Sequence, residues 1–245
     1  MNSYIKRAML FLQDIIFTVK CPYCEKVIDR NDYACKECKS KFPQKGYETY
    51  AVGGYKTIAP FKYDGIFASG VKNFKFYENP SYSRRLAIPL ANEIIAKYGV
   101  GCFDIITAVP MYYKNMRERG YNQSELLAKE CAEIFNIPYA ELVEKHKKNK
   151  AQHTLKGKER ESNVQGVYRV IDSQAVADKN ILIIDDIITT GNTLGECCKV
   201  LKKAGCKNIC VQRFVRLLYN LKRLKKLEYY QFFQPLVLLF LDSCE

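Results

Sequence analysis

The chain has 245 residues, enough to bury one full core with room for a small appended module. Hydrophobic residues make up 48% and charged residues 27%, the balance of a globular protein, and no apolar run is long enough for a membrane-spanning helix. A net charge of +13 points to an anionic partner such as nucleic acid, polyphosphate or an anionic membrane surface, although a basic surface also serves solubility.

Taken in chain order, Lys6 and Arg7 precede an apolar run, Ala8–Leu12, that Gln13 and Asp14 interrupt. No small-residue cleavage site follows, so Tyr4–Val19 reads as an amphipathic packing helix rather than a signal peptide. Next come Cys21-Pro-Tyr-Cys24 and Cys35-Lys-Glu-Cys38, two Cys-x-x-Cys units ten residues apart. A two-residue gap lets both thiolates of a unit wrap one side of a tetrahedral ion, and two such units close a four-cysteine structural Zn²⁺ site. Reduced core pairs or a redox Cys-x-x-Cys are the alternatives. The other cysteines are scattered through apparent helices and strands, where a free thiol acts as a small hydrophobe. That usage points to a reducing cytoplasm.

Short aromatic-rich strands are expected around Tyr47–Tyr63. A helix then starts at Gly65 and runs to about Tyr77, and Pro80 opens another that ends near Tyr98–Gly99. Asp104–Val109 reads as a strand, Ser124–Phe135 as a helix, and Tyr139–Val143 as a second strand. Glu144–Asn163 is lysine-rich with no sustained hydrophobic period, and reads as a mobile loop. Ile181–Ile184 is a buried strand, Thr193–Ala204 a helix closed by Gly205, and Asn208–Val215 a further strand. Strand–helix alternation over 104–215 predicts an α/β fold on a parallel sheet with right-handed crossovers.

The densest chemistry lies in ILIIDDIITTGNT, residues 181–193. Four apolar residues make a strand buried on both faces, so Asp185 and Asp186 emerge at its carboxyl end, where ligands bind in open α/β sheets. Thr189, Thr190, Gly191, Asn192 and Thr193 can then wrap a phosphate with backbone N–H groups at the positive end of a helix dipole. The two carboxylates suit a pair of sugar hydroxyls. A polar turn capping a helix explains one Asp or one Thr, but not adjacent acids followed by four hydroxyl or amide side chains around a glycine.

This stretch resembles the phosphoribosyl pyrophosphate (PRPP) binding motif of type I phosphoribosyltransferases. The resemblance implies that Asp185 and Asp186 hold the ribose diol and residues 189–193 the 5-phosphate. More of the chain, about residues 10–216, is similar to the ComF family of competence-associated, phosphoribosyltransferase-like proteins. The four-cysteine module, Val109-Pro110 with Arg117-Glu118-Arg119-Gly120-Tyr121-Asn122-Gln123-Ser124, and Gln152, Leu155, Arg160, Asn163-Val164-Gln165-Gly166 and Tyr168 carry that likeness. It implies a type I phosphoribosyltransferase-like sheet flanked by helices, Mg²⁺ accompanying PRPP, and partners in DNA uptake: single-stranded DNA, a competence helicase or other competence proteins.

Arg117 and Arg119 fall on the same carboxyl edge, where forked guanidinium donors suit a pyrophosphate leaving group; a solvated helix start is the plainer reading. Arg160 and Gln152 fit the flexible loop that, in the resembling enzymes, brings cation to the pyrophosphate. Purine transferases of the hypoxanthine–guanine type carry Asp at the place of Thr189, which argues against that substrate class. Tyr112, Tyr113 and Tyr121 are candidate stacking surfaces. Beyond residue 216, Leu217, Leu218, Leu221, Leu224 and Leu227 run beside Lys222, Arg223, Lys225 and Lys226. This is either a packing extension or a membrane-surface or partner-binding helix. The expected units are 1–46 (helix and zinc module), 47–216 (the transferase-like domain) and 217–245 (an extension). Three functions stay open: phosphoribosyl transfer, non-catalytic single-stranded DNA binding, and PRPP sensing.

Overall fold

The computed structural model describes residues 18–50, 53–76, 80–99, 101–147, 166–188 and 192–216. Residues 1–17, most of the helix expected over Tyr4–Val19, the extension 217–245 and residues 148–165 lie outside them. In chain order the elements are α1 (Lys36–Lys39), β1 (Tyr47–Tyr50), β2 (Lys56–Ala59), β3 (Phe61–Lys62), α2 (Gly65–Phe76), α3 (Ser83–Tyr98), β4 (Ile105–Ala108), α4 (Tyr113–Arg119), α5 (Gln123–Phe135), β5 (Val143–Lys145), β6 (Tyr168–Val170), α6 (Ser173–Val176), β7 (Asn180–Ile188), α7 (Asn192–Lys203) and β8 (Asn208–Arg216).

The main sheet runs β1-β2-β8-β7-β4, with β3 also on β8. All of its pairings are parallel except β1 with β2. The expected α/β sheet is therefore present, with an antiparallel strand at one edge. β7 sits between β4 and β8, and its Ile181–Ile184 are fully buried, as a strand covered on both faces must be. Side chains alternate across a strand, so Leu182 and Ile184 join one core and Ile181 and Ile183 the other.

On the first face lie α2, α3, α5 and the cysteine module; on the second lie α7 and the β5–β6 hairpin. The module carries its own aromatic residues into the first core. Tyr23 meets Phe42, Phe61 and Phe67 edge-on at 5.3, 6.1 and 5.9 Å, and Phe61 stacks on Phe67 at 4.1 Å. Arg85 of α3 donates to the carbonyls of Asp32 and Arg30.

Three expectations need correction. Tyr139 makes only a one-residue parallel bridge to Ile106, and the strand that follows, β5, leaves the main sheet to pair with β6. The strand expected at 139–143 thus shifts toward Lys145, because an apolar run marks burial and not its hydrogen-bonding partner. Glu144 and Lys145, expected in a loop, are in that strand. β7 continues through the acid pair to Ile188 rather than ending at Ile184. Among the scattered cysteines, Cys131, Cys197 and Cys198 are fully buried as expected, but Cys102 is exposed.

Candidate functional site: the acid pair at the end of the central strand

β4 stops at Ala108 while β7 runs on, so Asp185 and Asp186 stand past the end of their neighbour. Asn122 fastens the loop between β4 and α5. Its Oδ1 accepts from the Ser124 N–H at 3.1 Å, an N-cap, and its Nδ2 donates to the Val109 carbonyl at 3.1 Å. This fixes Ser124 over the acid pair. Its Oγ donates to Asp185 Oδ1 at 3.0 Å and accepts from the Asp186 N–H at 3.2 Å, while that same N–H reaches Asp185 Oδ1 at 2.9 Å.

The second carboxylate is held by a different group. Lys75 of α2 places Nζ 2.7 Å from Asp186 Oδ2, with the lysine side chain only 6% exposed. The two acids are therefore unequal. Burial and the neighbouring Asp186 push the Asp185 carboxyl up to about 7, against the pull of Lys75 and the Ser124 hydrogen bond. Burial and the charge of Asp186 raise the phenol of Tyr63 to about 12.

At the start of α7, Thr193 lies beside the buried Tyr168 phenol. Lys145 pairs with Tyr168 across the hairpin and sits 5.6 Å from the Tyr112 ring centre and 5.7 Å from that of Tyr168. Burial lowers its ammonium's affinity for the proton. The Gly166 N–H donates to Glu196 Oε1 at 3.2 Å, tying the hairpin to α7.

The expected site residues divide into three groups. Asp185, Asp186 and Thr193 are brought to the carboxyl edge. Arg117 is exposed on α4. Thr189, Thr190, Gly191, Arg160 and Gln152 lie outside the described residues, and Arg119 and Asn192 are described by their backbone alone. Lys75 was not among the expected site residues, although one signal pointed to it. Phe67, Val71 and Lys75 follow each other at intervals of four, which places the lysine on the apolar stripe of α2. Ser124, Lys145 and Tyr168 stood in the sequence without a role; their positions come from contacts distant in the chain.

In the module on the first face, the Sγ atoms of Cys21, Cys24, Cys35 and Cys38 all lie within 4.8 Å of one another, Cys24 and Cys35 at 3.6 Å. Sulfurs bound to one zinc at about 2.3 Å stand about 3.8 Å apart, so the donor set fits a single metal ion such as zinc. No helix among the described residues is long and apolar enough to cross a membrane.

The model of the phosphoribosyl transferase domain matches residues 122–235. The chain is 31% identical over 115 residues to Competence protein F of Haemophilus influenzae, an alignment covering 46% of this chain and half of that protein's length. It is 24% identical over 203 residues to DNA utilization protein YhgH of Escherichia coli, covering 81% and 84% of the two chains. It is also 29% identical over 196 residues to Competence protein ComFC of Streptococcus pneumoniae, covering 80% of each. Similar solved structures include an adenine phosphoribosyltransferase (TM-score 0.41, 16% identity, 77% of this chain and 94% of that one). Another is the allosteric regulatory enzyme of purine biosynthesis (TM-score 0.40, 20% identity, 58% and 30%). A transferase-domain match over the acid pair, relatives named for competence and DNA utilization, and an N-terminal four-cysteine cluster together support a ComF-family, phosphoribosyltransferase-like protein.

Proposed function

We propose that the chain binds PRPP at the acid pair and transfers its phosphoribose to an acceptor, releasing pyrophosphate, in a process that handles DNA. The observation that carries this reading is the pair Asp185–Asp186, fixed by Ser124 and Lys75 at the carboxyl end of the central strand, beside the start of α7. In this reading the carboxylates accept hydrogen bonds from the two ribose hydroxyls. Backbone N–H groups of residues 189–193 receive the 5-phosphate.

Arg117, Arg119 and Arg160 are the cations for the departing pyrophosphate, and Lys145 joins them. Its ammonium is half-buried against two ring faces, and an arriving anion would offset that desolvation. The C1–O bond to pyrophosphate breaks as an acceptor lone pair forms the new bond to C1, and the acceptor's proton passes to solvent. Mg²⁺ bound with PRPP would supply neutralisation of the pyrophosphate charge. Zinc in the cysteine module is structural, residues 1–46, 47–216 and 217–245 are the units, and the cytoplasm is the compartment.

One observation favours a second reading, non-catalytic binding of single-stranded DNA. Tyr113 and Met116 are exposed on α4 beside Arg117, in a chain of net charge +13. Exposed rings with flanking cations are the elements of a base-stacking surface. DNA affinity would then fall steeply with salt, as released counterions require.

Calorimetric titration with Mg²⁺–PRPP tests the first reading. Wild type should bind, and the double variant Asp185→Asn/Asp186→Asn should lose at least about ten-fold in affinity, since hydrogen bonds to charged groups are worth about 1.5–3 kcal/mol. A wild type that produces no binding heat refutes PRPP binding and leaves the DNA reading standing.

A further inference from the structure

Helix α2 touches both of the chain's chemical centres. On one side Asn73, 7% exposed, donates from Nδ2 to the Pro22 carbonyl at 2.8 Å, inside the first Cys-x-x-Cys unit. Gly70, one turn earlier, lies against the Tyr23 ring so closely that a Cβ there would stand 2.8 Å from a ring carbon. Phe67 continues the same seat against Tyr23 and Phe61. On the other side Lys75 reaches Asp186. Asn73 and Lys75 are two residues apart, and at about 100° per residue their side chains leave opposite sides of the helix.

The helix is thus clamped between the cysteine module and the acid pair, and its rotation or slide at one end is felt at the other. A buried ion pair with the lysine on Oδ2 holds the rotamer of Asp186. Ser124 does the same for Asp185 from a different helix, through Oδ1. The two carboxylates are therefore aimed independently, and only that of Asp186 is aimed through an element seated on the module.

We propose that Lys75 is a positioning residue for sugar binding, holding Asp186 toward the ribose diol, and that the four-cysteine module sets its reach through Asn73 and α2. The inference rests on the reading of the acid pair as a PRPP site. It assigns the module a role at that site: a loaded module seats α2, and a seated α2 presents Lys75 to Asp186.

The test is Mg²⁺–PRPP calorimetry on full-length Lys75→Met, Lys75→Arg, Asn73→Ala and Arg85→Ala, with metal content measured on each. Lys75→Met should bind about ten-fold or more weakly, while Lys75→Arg keeps the charge and stays within about three-fold of wild type. Asn73→Ala should lose about three- to ten-fold with its metal still bound, the value of one hydrogen bond felt at a distance. Arg85→Ala breaks a different clamp on the same module, one that does not pass through α2, and should bind PRPP as wild type does.

Wild-type affinity in Lys75→Met overturns the positioning role. Wild-type affinity in Asn73→Ala, or equal losses in Asn73→Ala and Arg85→Ala, overturns the path through α2. A wild type that does not bind PRPP overturns the sugar-phosphate reading and this inference with it, whereas a binding wild type with unaffected variants overturns this inference alone.

Discussion

The two faces of the central sheet treat two chemically identical residues differently. Asp186 turns to the aromatic face shared with the cysteine module and meets a buried ammonium. Asp185 turns to the face covered by α7 and the β5–β6 hairpin, where its neighbours are the phenol of Tyr168 and the thiol of Cys197. Among the described residues no ammonium or guanidinium forms an ion pair with Asp185, and the Ser124 hydroxyl reaches it from across the strand end. One strand thus presents a carboxylate whose charge is compensated beside one whose charge is penalised. A ligand approaching the pair meets an ion-paired carboxylate and a group that changes protonation near neutrality.

The largest expected effect comes from removing what supports the first face. Cys38→Ser takes a buried sulfur from the four-cysteine set and should abolish metal binding and cooperative unfolding of the module, because binding energy of structural zinc, about 10–16 kcal/mol in small zinc peptides, is folding energy. Metal content and thermal unfolding report it together. An unchanged Tm would mean the module folds on its aromatic residues alone.

Next, the two single aspartate variants should move stability in opposite directions. Asp186→Asn leaves Lys75 buried beside a neutral amide and should cost about 3–5 kcal/mol, the usual penalty for breaking a buried pair. Asp185→Asn should do the reverse at high pH. Its carboxyl rises from the ordinary 3.8 to about 7, so the neutral acid is the form the fold favours. The stability it contributes is fully present below about pH 4 and is lost as pH rises through 7. Asp185→Asn should therefore match wild type at pH 4, exceed it at pH 8, and flatten the slope between. Tm measured across that range decides the matter; a variant less stable than wild type at pH 8 would show that Asp185 is held as an anion.

A smaller effect is expected of Ser124→Ala. It removes the donor to Asp185 and an acceptor of the Asp186 N–H, and should cost about 1–3 kcal/mol. It should also push the Asp185 titration higher, steepening the wild-type slope. The smallest is Tyr168→Phe, which deletes the phenol next to Thr193 and should cost about 0.5–1.5 kcal/mol in denaturant unfolding.

The parts of this arrangement that local sequence announces are those with a local cause. Ile181–Ile184 can only be a buried strand, Asn122 and Ser124 mark a helix start, and two Cys-x-x-Cys units mark a metal knuckle. What stayed hidden depends on partners far along the chain. Lys75 meets Asp186 across 111 residues, a separation that no sequence window spans. The apolar run at Tyr139–Val143 marked a strand without showing that β5 would extend to Lys145 or that β6 would claim it. The module's few apolar residues suggested little core of its own, and indeed Tyr23 and Phe42 find theirs on Phe61 and Phe67. Arg117, expected at the edge, is exposed, since a charged residue in a short helix past a strand carries no signal of where it faces.

The place of β8 has a consequence for how the molecule is made. It is the last described element to leave the ribosome, yet it lies inside the sheet, with β2 and β3 on one side and β7 on the other. Until residues 208–216 emerge, β2 has no parallel partner and Phe61 lacks Phe214, which it meets edge-on at 5.3 Å. The hydroxyl of Thr57 likewise waits for the buried guanidinium of Arg213. The aromatic half of the first core must therefore wait for residues 208–216, and non-local closure of this kind is slow. Amide protection in β2 and β3 should accordingly appear in refolding together with that of β8, after the local helices have formed.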